Sequence, residues 1–489
     1  MATPIPQNQA AFTLAEILAA TGGALVHGDV EGVGAVSTDT RAITDGACFV
    51  ALRGEVHDGH AHLAAARGKG ATLAIVDRAV EAPEGLAVVR VRDTLVALGD
   101  LALAHTRRWR ENGGRRVVVG ITGSAGKTTT RVAVSALLER LFPGEVHGTA
   151  GNLNNRVGVP MVLFGLKPEH HVAVVEMGMN LPGEIAELCR IAEPDAGIVT
   201  LIAAAHTEGL GSIDGVANEK GTLFRALRAE GVAIGNGDDA RVWAQIERSP
   251  AARRCLYGRA AEAAVRITGR EPVGMTGSRV TLDRLGRGSI SFEAPLLGEA
   301  GALACAAAVA VAEVALGATV TGEICSEAFA KADVGAGAGR LVPRVFASGL
   351  AVIDDTYNAN PASTCASVRA AAEIARATGR RLVLVLGEMK ELGNESAPGH
   401  DEVGRAAAAS GAAEVFAVGG GETPRIAARA VEGGMRAAHA ERVDDITILV
   451  KLALRTNDLV LVKGSRSIGT ERVVAALAAD HDRAGGPSL

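Results

Sequence analysis

Gly120-Ile121-Thr122-Gly123-Ser124-Ala125-Gly126-Lys127-Thr128-Thr129-Thr130 directly follows the apolar run Val117-Val118-Val119, which places a glycine-rich turn at the end of a strand. A turn of this kind holds phosphate. Gly123 and Gly126 let the backbone N–H groups from Thr122 to Thr129 converge on anionic oxygens; Lys127 can reach terminal phosphates, and the Thr128 hydroxyl can face magnesium. A strict P-loop carries glycine at 121, where this chain has Ile, so the match is to a variant with an added Thr-Gly-Ser turn. ATP or GTP is the expected ligand.

Outward from that turn, the same pattern repeats. Val172 to Val175 runs into Glu176-Met177-Gly178, Ala196 to Leu201 runs toward His206, and Val232 to Ile234 runs into Gly235-Asn236-Gly237. Apolar runs ended by polar residues, with helical patterns between them, read as parallel α/β units. All these polar ends then fall on one edge of one sheet, where open α/β sheets bind ligands. A second α/β set follows the run Gly335 to Gly339, read as a flexible linker, and ends its strands in Asp354 to Pro361, Gly387-Glu388-Met389 and Lys463-Gly464-Ser465-Arg466. The first 110 residues form a third unit of shorter strands. It carries Ser37-Thr38-Asp39-Thr40-Arg41 and the loop Gly54 to His60, and the charged stretch Arg110 to Arg116 marks its end. The expected organisation is α/β in three units: 1–112, 113–337 with a parallel sheet and the phosphate turn, and a Rossmann-like 338–489. Residues 1–10 and 485–489 are expected to fray.

At 489 residues the chain exceeds one ordinary core, in keeping with three units. A formal charge of −5, with basic residues scattered among acids, provides no stripe for nucleic acid and no polybasic membrane patch. The six cysteines form no Cys-x-x-Cys pair and read as small core residues, while the N-terminus lacks a signal-peptide pattern. A cytoplasmic protein is expected. Ala304 to Leu316 is short and alanine-rich, a buried helix rather than a membrane span.

Taken together, the Thr-Gly-Ser-Ala-Gly-Lys-Thr-Thr-Thr turn, Asn152-Leu153-Asn154-Asn155 with Gly158 and Pro160, Glu176-Met177-Gly178, Ala205-His206-Thr207-Glu208, Asp355 to Pro361 and Lys463 to Arg466 resemble the ATP-dependent Mur ligases over nearly the whole chain. Asp-x-Tyr-Asn-Ala-Asn-Pro and Lys-Gly-Ser-Arg point within that family to the activity that adds D-alanyl-D-alanine to UDP-N-acetylmuramoyl-tripeptide, through an acyl phosphate. The resemblance implies an N-terminal UDP-substrate domain, a central ATPase and a C-terminal domain that closes over the site. It implies Lys127, Glu176, His206 and Lys220 as the catalytic set. Magnesium would be held by Thr128, Glu176, His206 and Lys220, the last as a carbamate formed with carbon dioxide. Thr40, Arg41, Asn152, Asn154 and Asn155 would bind the UDP substrate. Arg340, Asp355, Asn358 and Asn360 would reach ATP, and Lys463, Ser465 and Arg466 would line the dipeptide side. The expected partners are these two substrates, with no nucleic acid or membrane insertion, and the expected state is a monomer.

Each residue also has a plainer reading. Glu176 could be a helix-terminal or surface acid, His206 a structural histidine, Lys220 a solvated helix lysine, and the asparagines turn formers. Where the family carries His and Asn near the nucleotide base, this chain has Ala300 and Ala304, so either Asn236, at its own strand end, does part of that work or the loop sits differently. Thr222 replaces a family acid beside Lys220. A sibling that adds a single amino acid, of the diaminopimelate-adding or folylpolyglutamate type, and a catalytically silent nucleotide-binding scaffold are the competing readings. The tyrosine-asparagine signature argues against the siblings, and intact Lys127, Glu176, His206 and Lys220 against the scaffold.

Overall fold

Three large sheets succeed one another along the chain, with a two-stranded pair, Phe12–Thr13 and Gly32–Val33, at its start, in the computed structural model, which describes residues 3–54, 57–332 and 339–482. The central sheet has nine strands. Its heart is the phosphate-turn strand Val117–Thr122, flanked in parallel by Val172–Glu176 on one side and Ala196–Val199 on the other, with Val232–Asn236 beyond. The strand Val117–Thr122 is buried at every position because helices cover both faces, which is why it reads as an unbroken apolar run. Register puts Glu176 opposite Ile121, and Val199 opposite Thr122 and Gly235, so the polar ends line up along one edge.

Beyond Arg253–Gly258 the sheet changes character. Val265–Val273, Gly277–Arg284 and Gly288–Ala294 form an antiparallel meander, an extension absent from the parallel pattern expected there. Its hairpin turns use Gly274, Gly286 and Gly288 at positive φ. The helix Gly298–Ala310, continued by a π-helical turn Val311–Ala315, packs on it. By length and composition Gly298–Ala315 could cross a membrane, but 78% of it is buried within the fold, as expected of a core helix.

The N-terminal sheet has five strands between Ala24 and Arg90, and the C-terminal sheet six between Val342 and Lys463, five of them parallel. The expected linker Gly335 to Gly339 lies outside the described residues except for Gly339, as do Glu55 and Val56 of the loop 54–60 and the terminal run 485–489. Residues 3–10 do not fray as expected. Asn8 Nδ2 donates to Val36 O (2.7 Å), Ala10 is fully buried, and Thr3 Oγ1 donates to Asn152 Oδ1 (2.5 Å), so this segment is stitched across two units. The charged stretch Arg110 to Arg116, which begins in the last turn of helix Thr94–Glu111, is equally fixed: Arg110 pairs with Asp195 (2.8 Å) and Arg116 donates to the carbonyls of His170 and Pro168. All six cysteines are free and buried, one in the N-terminal unit, one in the C-terminal and four between.

Candidate active site at the edge of the central sheet

The phosphate turn is held open by its neighbours. Gly123 sits at φ 154°, and a Cβ there would lie 1.9 Å from Thr200 Oγ1, so only glycine fits. That hydroxyl donates to Ala125 O (2.6 Å), Ser124 N donates to Leu201 O (2.7 Å), and Ser124 Oγ and Ala203 exchange hydrogen bonds at 3.0 Å. The turn is thus fastened to the loop after Ala196–Val199. Gly126, also at positive φ, begins helix Lys127–Leu141, whose N-terminal N–H groups face the same space. Lys127 Nζ donates back to Gly123 O (2.8 Å), and burial, offset by Glu176 and reinforced by Arg340, lowers its pKa. Thr122 and Thr129 flank the turn; the Thr122 hydroxyl is buried without a partner.

Glu176 is a buried carboxylate with every oxygen engaged. Thr128 Oγ1 donates to Oε2 and Asn154 Nδ2 donates to Oε1, each at 2.9 Å, and Arg131 Nε stands 3.5 Å from Oε2. The plain surface-acid reading is therefore wrong for Glu176. Asn154, expected to contact the UDP substrate, braces this acid, and Arg131, one turn after Lys127, is a member of the cluster the sequence reading missed. A lone buried-face arginine in that helix was its only signal.

His206 sits at φ 57°, and its Nδ1 lies 2.6 Å from Glu391 Oε2, a carboxylate of the C-terminal unit. Burial, then the charges of Lys127 and Lys220, lower its pKa against the pull of Glu391. Lys220 projects from helix Ile213–Arg225 and is 1% exposed, not a solvated surface lysine. It makes no ion pair among the described residues, and burial, aided by the Lys127 charge and opposed by Glu219, drives its pKa well below the ordinary lysine value. The Thr222 departure does not reach this group: its hydroxyl donates to Asn218 O and accepts from Arg225 on the outer side of the helix.

The remaining candidates divide sharply. Asn236, the expected base reader, is buried with Nδ2 donating to Thr200 O (3.0 Å) and Oδ1 accepting from Asp238 N (3.0 Å); its amide is spent on the loop. Ala304 lies inside the apolar core and Ala300 at the helix start, and beside them Glu299 pairs with Arg259 (2.6 Å) while Arg270 bridges to Glu373 of the C-terminal unit. Asn360 caps helix Pro361–Thr378 and donates Nδ2 to Ser124 O (3.0 Å), placing a C-terminal residue on the phosphate turn. Arg340 stacks on Tyr357, 3.8 Å from the ring centroid, with its charge felt at Lys127 and Arg131.

Lys463 does not line an open dipeptide side: its buried ammonium donates to Asp355 Oδ2 (2.6 Å) and Asn358 O (2.9 Å), fixing that loop. Asp355 is further held by Ser367 Oγ (2.6 Å), and Asn358 Oδ1 accepts from Ala359 N. Ser465 Oγ accepts from Lys390 N and donates to Ala359 O. Only Arg466 keeps an open guanidinium, half exposed and 3.8 Å from Glu471. Near the N-terminus Asn152 bonds Thr3 and Asn155 Oδ1 caps Val157 and Gly158, a turn-forming role for its carbonyl. Arg41, beside Thr40, is exposed and forked onto Asp39 (2.7 Å).

Fold and site together define a three-unit α/β protein built to hold a nucleotide's phosphates between a glycine turn and buried charged groups. The chain matches the Mur ligase middle domain over residues 121–312, the Mur ligase glutamate ligase domain over 339–466 and the Mur ligase family catalytic domain over 33–106. The UDP-N-acetylmuramoyl-tripeptide–D-alanyl-D-alanine ligase of Escherichia coli K12 is 38% identical over 469 residues, 95% of this chain and 98% of that one; the Bacillus subtilis ligase of the same name is 33% identical over 90% and 92%. A crystal structure of MurF from Acinetobacter baumannii superposes with a TM-score of 0.84 at 30% identity, covering 98% of this chain and 100% of that one. MurF from Thermotoga maritima in complex with ADP shares the fold, with a TM-score of 0.78 at 23% identity over 92% and 98%. The chain belongs to the Mur ligase family.

Proposed function

We propose that this chain joins D-alanyl-D-alanine to UDP-N-acetylmuramoyl-tripeptide with ATP, giving the UDP-linked pentapeptide of peptidoglycan synthesis, as a cytoplasmic monomer of three domains, 1–112, 113–337 and 338–489. The observation that carries the reading is end-to-end likeness to ligases of that name, 38% identical over 95% of the chain in the Escherichia coli case. The convergence of Lys127, Glu176, His206 and Lys220 supports it.

A carboxylate is a poor electrophile. In the proposed reaction the tripeptide carboxylate oxygen attacks the γ-phosphorus, the bond to the bridging oxygen breaks, and ADP leaves. The dipeptide amine then attacks the acyl carbon; the C–O bond breaks, phosphate departs and the nitrogen loses a proton. What the protein supplies is charge and position rather than a nucleophile. The turn Thr122 to Thr129 cradles the phosphates, Lys127 neutralises the transferring group, and Asn360 and Arg340 bring the C-terminal unit to the same phosphates. Thr40, Arg41, Asn152 and Asn155 remain the candidates for the UDP end, and Arg466, with its open planar fork, for the dipeptide carboxylate.

Magnesium fits the donor set. The Thr128 hydroxyl and the Glu176 carboxylate are adjacent, buried, hard oxygen donors. The described residues hold no cluster of three His, Cys, Asp or Glu side chains, so phosphate oxygens and water would complete the shell, the usual habit of this cation. When bound it would neutralise charge building on the γ-phosphate. Lys220 fits carbamate formation because its depressed pKa favours the neutral amine, which adds to carbon dioxide with loss of a proton to give an anionic oxygen ligand.

Incubation with ATP, D-alanyl-D-alanine and UDP-tripeptides carrying diaminopimelate or lysine, read by mass spectrometry, tests the reading. ADP, phosphate and pentapeptide should appear together, with slow hydrolysis when UDP-tripeptide is omitted; fast substrate-independent hydrolysis would refute it. Lys127→Ala should fold normally yet lose at least about 100-fold in turnover. Lys220→Ala should also fold and lose most activity, with formate or acetate restoring part of it; a merely salt-bridging lysine would show no rescue.

A further inference from the structure

Only four non-glycine residues among those described adopt positive φ: Glu193, His206, Leu341 and Glu391. Two of them, His206 at 57° and Glu391 at 64°, meet across the boundary between the central and C-terminal units. Unfavourable backbone of this kind persists where surrounding contacts over-determine it, and it clusters where function requires it. Those contacts are present. Thr207 Oγ1 donates to Leu392 O (2.7 Å), Glu208 N donates to Glu391 O (3.3 Å), and Gly393, at φ 50°, is so close that a Cβ would lie 3.3 Å from Glu208 Cα. The segment after strand Arg381–Gly387 thus docks as a unit on the segment that follows His206. The Glu391 side chain is 57% exposed and fills no core, so packing does not explain why it is held in this conformation. What it does touch is His206, through Nδ1, leaving Nε2 as the ring nitrogen turned away from it.

We propose that Glu391 is a positioning residue: docked from the C-terminal unit, its carboxylate orients the His206 ring, so that the loop from His206 to Ser212 reaches its working geometry only when the two units are closed. The proposal rests on the reading of His206 as part of the ligase site. A carboxylate at one ring nitrogen fixes which way an imidazole faces and which nitrogen is left for a ligand. Closure would then be reported to the reaction centre by a side chain that touches no substrate.

Two substitutions test this. Glu391→Gly removes the carboxylate while relieving the left-handed backbone, and Glu391→Gln keeps the shape without the charge. In Glu391→Gly the thermal midpoint should hold or rise while turnover falls about 10 to 100-fold, the range typical of groups that orient a ligand, with KM for D-alanyl-D-alanine little changed. Glu391→Gln should recover part of the loss. Hydrogen exchange with neither nucleotide nor magnesium present gives a readout apart from activity: the Glu208 and Leu210 amides should exchange faster in Glu391→Gly than in Glu391→Gln. Wild-type turnover in Glu391→Gly, beside a crippled His206→Ala, would overturn the proposal alone. Normal turnover in His206→Ala would overturn the site assignment beneath it.

Discussion

Where the N-terminal and central units meet, the contacts are largely apolar: Phe12, Leu98, Leu101 and Trp109 from one side share a single buried cluster with Phe164, Ile185, Leu188 and Ile191 from the other. Phe12 and Phe164 meet edge to face with centroids 6.3 Å apart. Where the central and C-terminal units meet, helix Gly298–Ala310 packs on helix Pro361–Thr378, with Gly298 against Ala370, and polar pairs supplement that contact: Asn360 on Ser124, Glu391 on His206, Leu392 on Thr207, Glu373 on Arg270. Apart from Leu297, with Ala204 and Met275 alongside, the C-terminal cores are built from that unit's own residues. A continuous apolar border is costly to open, because opening returns its whole area to water; a border of hydrogen bonds exchanges protein partners for water at modest net cost. The first border is a shared apolar core, and the second a helix contact supplemented by polar pairs.

The largest expected effect on this contrast is at Trp109, 2% exposed, whose Nε1 donates to His170 O (2.9 Å). Trp109→Ala should cost about 3 to 5 kcal/mol, and calorimetry should show the N-terminal and central units losing stability together while the C-terminal transition stays put. If only the N-terminal transition moved, the two would not share a core. Next is acid. His147 stacks on His170 at this border, centroids 5.0 Å apart, and burial lowers its pKa from 6.5 to about 4. The unfolded chain therefore binds the proton first, so this contribution to stability is whole above pH 6.5 and lost as pH falls toward 4, by about 3 kcal/mol at one pKa unit per 1.4 kcal/mol. Denaturant titrations at pH 7.5, 6 and 5 should show the decline, and His147→Gln should flatten it. The smallest effect belongs to the polar border. Asn360→Ala removes a helix cap and the bond to Ser124, about 1 kcal/mol in stability of the C-terminal unit, yet turnover should drop by more than that cap loss alone would suggest. A stability loss with unchanged kcat would make Asn360 a cap only.

Parallel strands buried on both faces read as apolar runs, and their polar ends marked the edge that carries Lys127, Glu176 and His206; Lys220 lies inside a helix, where only the family resemblance singled it out. The meander from Val265 to Ala294 was not seen: Val265 to Thr268 and Arg279 to Asp283 alternate, but a register shift between Ile267 and Gly269 interrupts the first run, and polar Ser278 and Arg284 hold inward positions, Arg284 paired with buried Glu313. The partners of polar groups were illegible for a different reason. Asn360 and Ser124 lie 236 residues apart, and nothing local to either names the other. Asn236, Asn154 and Lys463 were placed at strand or loop ends, but their bracing partners, Thr200, Glu176 and Asp355, were not: an amide or ammonium at such an end can face a ligand or brace a loop, and the sequence does not say which.

The six buried cysteines carry a practical consequence. Burial pushes the thiols of Cys48, Cys189, Cys255, Cys325 and Cys365 up to about 12 and raises that of Cys305 well above its ordinary value, so none is a thiolate at neutral pH. A thiol reagent must therefore wait for the chain to breathe. Because Cys48 belongs to the first unit, Cys365 to the last and the other four to the middle, the order in which they become labelled is a clock with one hand for each unit, already present in the natural chain.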